Sequence, residues 1–147
     1  MSLIQILFVL LQSQSIKTLE KMKKIVLAFL LMTVFNTAEA QVMKKEKDGT
    51  YIVNTTTLAT DVEGYNGTTP VEIHIKKNKI VKVVPLKSQE GAKYVAKVKK
   101  NMLPKYEGMN VKKGTVAEVD AVTGATFTSD AIKENVKRGV AYYKQNK

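Results

Sequence analysis

The stretch VEIHIKKNKIVKVVPL, Val71–Leu86, alternates apolar and polar residues on both sides of a short polar break. Successive side chains of an extended chain point to opposite faces. Val71, Ile73 and Ile75 therefore share one face, and Glu72, His74 and Lys76 the other. Lys77-Asn78-Lys79 reads as a turn, and Ile80, Val81, Val83 and Val84 as the returning strand. This is a β-hairpin with one half-buried face, the unit of an antiparallel sheet. Upstream, TYIVNTTTLAT from Thr50 is rich in β-branched residues and predicts a further strand. Between them, DVEGYNGTTP (Asp61–Pro70) carries the Gly, Asn and Pro chemistry of a turn. Downstream, Tyr94, Val95, Val98 and Met102 recur at helical spacing with lysines on the far side, and Pro104 ends that helix. TVAEVDAV (Thr115–Val122) predicts a short extended segment. Ile132, Val136, Val140 and Tyr143 then space as i, i+4, i+8 and i+11, the seam of a last helix reaching about Asn146, with Lys133, Lys137 and Lys144 facing out. The order β, ββ, α, β, α lacks regular strand–helix alternation. It predicts an α+β fold, a largely antiparallel sheet with packed helices, in a single small domain over residues 50–147.

The first forty residues read differently. KMKKIVLAFLLMTVFNTAEAQ has a positive start at Lys21, Lys23 and Lys24, an apolar core from Ile25 to Phe35, and the small-x-small pattern Ala38-x-Ala40. These are the parts of a secretory signal, with cleavage expected between Ala40 and Gln41. The alternative is a retained N-terminal anchor. A second apolar run, SLIQILFVLLQ (Ser2–Gln12), precedes it; a start at Met22 would make residues 1–21 an over-long gene start, and a two-helix membrane hairpin is the other account. Residues 41–49 are polar and lysine-rich and read as a flexible lead-in. From Gln41 onward the chain keeps 20 of its 24 basic and 11 of its 13 acidic residues, a net charge of +9. There is no cysteine, which excludes disulfides, a lipid-bearing cysteine anchor, thiolate metal sites and a thiol nucleophile. Arg138 is the sole arginine, no nucleic-acid-binding motif is present, and the scattered lysines read as a solvated basic surface rather than a nucleic-acid groove.

The chemistry concentrates in DAVTGATFTSDAIKENVKRG, Asp120–Gly139. Four hydroxyl residues, Thr123, Thr126, Thr128 and Ser129, crowd seven positions around Gly124-Ala125. Thr128 or Ser129 can cap the helix that follows, with Asp130 in its first turn suiting the helix dipole. Gly124 permits a tight turn of positive φ and close approach to the backbone. Thr126 then lies just before the helix, beside free N–H groups that attract phosphate. Composition alone also allows a plain capped helix with surplus hydroxyls.

DAVTGATFTS closely resembles the Asp-x-x-(Ser/Thr)-Gly-Ala-Thr motif of FMN-binding domains, the family that includes the C subunit of the sodium-pumping NADH:quinone oxidoreductase and the G subunit of the Rnf complex. The likeness extends over about Gly64 to Tyr143, through the GYNG turn, the KNKIVKVV hairpin and the final helix. The resemblance implies FMN held by a phosphoester on Thr126, installed from FAD by a flavin transferase. It implies that Asp120, Thr123, Gly124, Ala125, Thr128 and Ser129 surround the flavin or its attachment site. The family's Glu-Thr pair after the hairpin is incomplete here: SQEGAK keeps Glu90 and Gly91 without the threonine. The implied function is an exported electron carrier, periplasmic or membrane-associated on the outer side of the inner membrane, with an acidic or membrane-bound redox partner. Its rivals are a non-covalent flavin-binding module and a secreted basic interaction protein without cofactor. His74, the only histidine, reads as a surface group on the polar strand face, with no second histidine or cysteine to complete a metal site. Tyr142 and Tyr143 are aromatics that could stack on a flavin ring, but their pattern reads instead as Tyr143 in the core and Tyr142 lining the surface.

Overall fold

The computed structural model describes residues 2–32 and 41–147, with side chains described for 2–24 and 41–147. The chain forms two units, Met1–Ala40 and Gln41–Lys147. The first holds one continuous helix, α1 (Leu3–Met32), which follows the first apolar run, the polar residues after it and the second apolar stretch as far as Met32, without the intervening turn that a two-helix hairpin needs. Among the described residues, no helix is long and apolar enough to cross a membrane. The cleavage pattern at Ala38 and Ala40 and the end of the expected signal core lie outside the described residues.

The second unit is an α+β domain. Strands β1 (Met43–Lys45), β2 (Tyr51–Asn54), β3 (Val71–Lys76) and β4 (Lys79–Pro85) form one antiparallel sheet in the order β1-β2-β3-β4. Residues 41–49, expected as a flexible lead-in, instead supply the edge strand, with Met43 opposite Val53 and Lys45 opposite Tyr51. The lysines that hid it suit an exposed edge, where charge discourages further pairing. The β3–β4 turn is tighter than expected: Lys77 and Asn78 both take positive φ (51° and 60°), the geometry of a two-residue hairpin turn. A bulge beside His74 and Ile75 pairs Ile75 with Ile80 but His74 with Lys82, so Val81 is skipped and left exposed.

Helix α2 (Ala92–Asn101), a 3₁₀ turn (Leu103–Tyr106) containing Pro104, and helix α3 (Thr126–Asn146) cover one face of the sheet. The expected α3 seam is the core: Ile132, Val136, Val140 and Tyr143 are all buried, against Val53, Val71, Ile73 and Ile75. Gly139 lets helix and sheet touch, because a Cβ there would lie 2.4 Å from Ile73 Cδ1. The Tyr143 ring meets Tyr51 edge-on at 5.3 Å. A buried polar link crosses the same interface: Thr55 Oγ1 donates to Asn135 Oδ1 (2.6 Å) and accepts from the Val71 N–H (2.9 Å). Arg138 clips the loop after β2 onto α3, donating to both carboxylate oxygens of Asp61 and to Glu134.

The segment Thr115–Val122, expected to be extended, forms no strand. The start of the β4 edge is already occupied: Ile80 N–H donates to Met109 O, Gly108 N–H to Ile80 O, and, at the turn, Val111 N–H to Asn78 O. Residues 115–122 instead lead directly from that edge to the start of α3.

Candidate functional site

The four hydroxyls at the head of α3 divide into two kinds. The helix begins at Thr126, three residues earlier than the capping pattern implied, and Ala125 occupies the N-cap with no side-chain hydrogen bond. Thr128 and Ser129 are therefore inside the helix and do not cap it. Both are buried and engaged: Thr128 Oγ1 donates to Glu90 Oε2 (2.5 Å), while Ser129 Oγ donates to Ala125 O (2.7 Å) and accepts from the Val122 N–H (3.0 Å). Ser129 thus pins the approach segment to the helix start. Thr123 and Thr126 are exposed, and among the described residues neither hydroxyl makes a hydrogen bond. Asp130 lies one turn further along than expected and pairs with Lys133 at 2.8 Å, a hydrogen bond that raises the Lys133 pKa above its ordinary value against the effect of burial.

An uncapped helix start leaves its first N–H groups without intrahelical partners. Here these belong to Thr126, Phe127 and Thr128, and the α3 dipole adds a partial positive charge at the same end. Gly124, immediately before, takes φ +75°, and a Cβ there would come within 3.2 Å of Lys97 Nζ. The turn therefore carries bare backbone, free amides and a lysine within a few ångströms, an arrangement that recognises an anion such as phosphate.

Beside it opens a cavity of about 260 Å³ lined by Gly124, Ala125, Thr126, Phe127 and Thr128 with Tyr65 and Tyr94. Three separate regions meet there: the loop between β2 and β3 brings Tyr65, the first turn of α2 brings Tyr94, and the turn leading into α3 with the helix's first residues brings the rest. Phe127 is 68% exposed and Tyr65 is 69% exposed, with their ring centroids 6.2 Å apart. Leaving a phenyl side chain in water forgoes about 1.5–3 kcal/mol of burial. Glu90 fastens the two sides together. It is buried, its Oε1 accepts from the Asn66 N–H (2.7 Å) and its Oε2 from Thr128. Gly64 makes room for it, since a Cβ there would fall 2.6 Å from Glu90 Oε1.

Of the residues singled out in the sequence, Gly124, Ala125, Thr126 and Thr128 line this cavity; Asp120 and Thr123 are exposed outside its lining, and Ser129 is buried behind it. Tyr143 is core, at the far end of α3, about 25 Å along the axis from Thr126 at 1.5 Å per residue. His74 is less exposed than its place on the polar strand face implied: its side chain is 14% exposed, beside Glu72 at 3.7 Å. Sequence reasoning missed Tyr65, Tyr94, Phe127 and Lys97. The helical spacing places Tyr94 on the core stripe, and the structure turns it to the cavity rim. Phe127 carried a legible signal, an aromatic set between two threonines where the core seam has not begun.

Two comparisons found nothing: no curated protein and no solved structure matches the chain. The model of the family described as FMN-binding domain matches residues 64–141, more than half of the chain. That span begins at Gly64, beside Tyr65, and closes just before the end of α3.

Proposed function

The chain belongs to the FMN-binding domain family, FMN is its cofactor, and on that premise we propose that it is an exported electron carrier holding FMN through a phosphoester on Thr126. The residues at the head of α3 fit the group. Gly124 is a cradle that a Cβ would fill, the amides of Thr126, Phe127 and Thr128 lack intrahelical partners, Lys97 supplies a cation, and the adjoining cavity is aromatic. When bound, the flavin supplies reversible electron transfer.

The observation that carries the assignment to Thr126 is the sorting of the hydroxyls. Thr128 and Ser129 are spent on the protein's own structure, and Thr123 lies outside the cavity wall. Thr126 alone is exposed, unbonded among the described residues and part of that wall. A helix terminus contributes only about 0.3–1 kcal/mol to holding an anion, or about 2 when partly buried. That is under two decades of affinity, too little to retain a ligand in a dilute exterior, so a covalent bond through the Thr126 oxygen serves where the amides alone do not.

Lys97 stands beside Gly124, α2 also carries the exposed Lys93, Lys99 and Lys100, and the unit from Gln41 carries a net +9. This favours an acidic or membrane-bound redox partner, with encounter rates that fall as salt rises. A flavin transferase is the other partner implied. Export rests on the signal-like pattern at Lys21–Ala40 and agrees with a periplasmic location or one on the outer side of the inner membrane.

The test is the exported protein from a cell that has the transferase, run in a denaturing gel and viewed by flavin fluorescence. The wild-type band fluoresces and the Thr126→Ala band does not. A fluorescent Thr126→Ala band would overturn the attachment, and a dark wild-type band with flavin released on denaturation would leave a non-covalent flavin module.

A further inference from the structure

Among the described residues of Gln41–Lys147, the exposed large apolar or aromatic side chains are Tyr65, Val81, Tyr94 and Phe127. Three of the four converge on one cavity from three separate elements, and that cavity includes Thr126. A solvated surface does not gather its exposed aromatics in this way, because each gives up burial it would find in the core. Tyr65 and Phe127 already lie within aromatic contact distance, 6.2 Å between centroids and tilted by 44°, with most of both rings still open.

Glu90 links the segments that carry two of these rings. Its two carboxylate oxygens accept from Asn66 N–H and Thr128 Oγ1, and each donor is the immediate neighbour of one of the two rings, Tyr65 and Phe127. One buried side chain thereby ties the loop carrying Tyr65 to the helix turn carrying Phe127. The absence of a Cβ at Gly64 allows that approach.

We propose that Tyr65, Tyr94 and Phe127 form an aromatic wall against which the isoalloxazine ring packs, and that Glu90 is the positioning residue that holds Tyr65 and Phe127 in register. This rests on the FMN reading above and deepens it. A planar, electron-poor ring is the ligand surface that such a wall matches, by offset or edge-to-face contact. Tyrosine in contact with a flavin quenches its emission, which gives the wall a signature separate from electron-transfer activity.

The experiment compares emission per flavin in folded and denatured samples of exported, flavin-loaded protein. Loading is fixed beforehand by fluorescence in a denaturing gel, and folding by circular dichroism. Wild type shows emission several-fold weaker when folded. Tyr65→Leu and Tyr94→Leu each restore part of the emission, and Phe127→Leu raises the access of iodide to the ring. Glu90→Gln gives an intermediate gain in emission with its melting temperature little changed. Loaded wild type with equal folded and denatured emission, or Tyr65→Leu and Phe127→Leu with wild-type emission and iodide access, would overturn the wall while leaving the Thr126 bond in place. If the wild-type chain carries no covalent flavin, the Thr126 reading fails and free FMN becomes the probe. Saturable quenching that Tyr65→Leu and Phe127→Leu weaken tenfold then supports the wall, and unchanged binding rejects it.

Discussion

The two ends of α3 follow opposite rules. From Ala131 onward the inner face of the helix is committed to the protein itself: Gly139 touches Ile73, Asn135 bonds Thr55, Arg138 clips Asp61, and Tyr143 meets Tyr51. At its first turn, Ala125 provides no cap, Thr126 bonds nothing among the described residues, and Phe127 stands in water. Stability alone would have placed serine or aspartate at the cap and a polar residue at 127. A helix optimised along most of its length and left open at one end marks that end as the place where something else is bound.

Substitutions separate the two ends most clearly. Gly139→Val drives side-chain atoms into Ile73 and Thr55, whose Cδ1 and Cγ2 already lie 2.4 and 3.0 Å from the position of a Cβ. We expect a loss of about 3 kcal/mol or more, read as a lower urea midpoint for Gln41–Lys147 in the exported protein; an unchanged midpoint would show that helix and sheet are not so closely packed. Thr128→Val keeps the volume but leaves Glu90 Oε2 without its donor. The loss there is about 1–3 kcal/mol, and a neutral result would mean that Glu90 does not fasten the first turn to the loop at Asn66. Thr126→Ala lies at the smallest end, within about 0.5 kcal/mol of wild type, because its side chain supports nothing in the fold. A large destabilisation by Thr126→Ala would break the contrast outright.

A pH titration sharpens the same contrast on the opposite sheet face, where His74 is neither core nor site. Burial holds its pKa below the ordinary 6.5, with Lys82 adding to that effect and Glu72 opposing it. Between the two values the unfolded chain binds the proton more readily. The stability contributed by neutral His74 is therefore present above pH 6.5 and is lost as pH falls through that value towards the folded pKa. The imidazole resonances should titrate with a midpoint below 6.5, moving up in Lys82→Ala. A midpoint at or above 6.5 would show the ring to be solvated.

Much of the closed end was legible in the sequence. Ile132, Val136, Val140 and Tyr143 follow the helical period, and Val71, Ile73 and Ile75 the strand period, because burial against a flat neighbour imposes those spacings. The bulge at Val81 escaped, since one extra residue shifts a face without any change in composition. Strand β1 escaped because Lys44 and Lys45 are exposed, and a solvated edge needs no apolar alternation. At the open end the motif pointed to Thr126 through resemblance alone. The local pattern misplaced the helix start, because threonines read as caps when their partners are unknown. Thr128 was spoken for by Glu90, 38 residues earlier, and the wall needed Tyr65 and Tyr94 from other elements. Such long-range partnerships leave no periodic trace.

The central claim is that one hydroxyl of four carries the flavin, and site-resolved mass spectrometry tests it most directly. Cleavage after lysine releases Gly114–Lys133, which contains Thr123, Thr126, Thr128 and Ser129 in one peptide. In exported protein from a transferase-containing cell, we expect the added mass of one FMN less one water, the phosphoester increment, on every fragment that includes Thr126. Fragments ending at Ala125 or beginning at Phe127 should lack it. The same mass placed on Thr123, Thr128 or Ser129 would contradict the account, because it would assign the bond to a hydroxyl outside the cavity wall or to one the fold already uses.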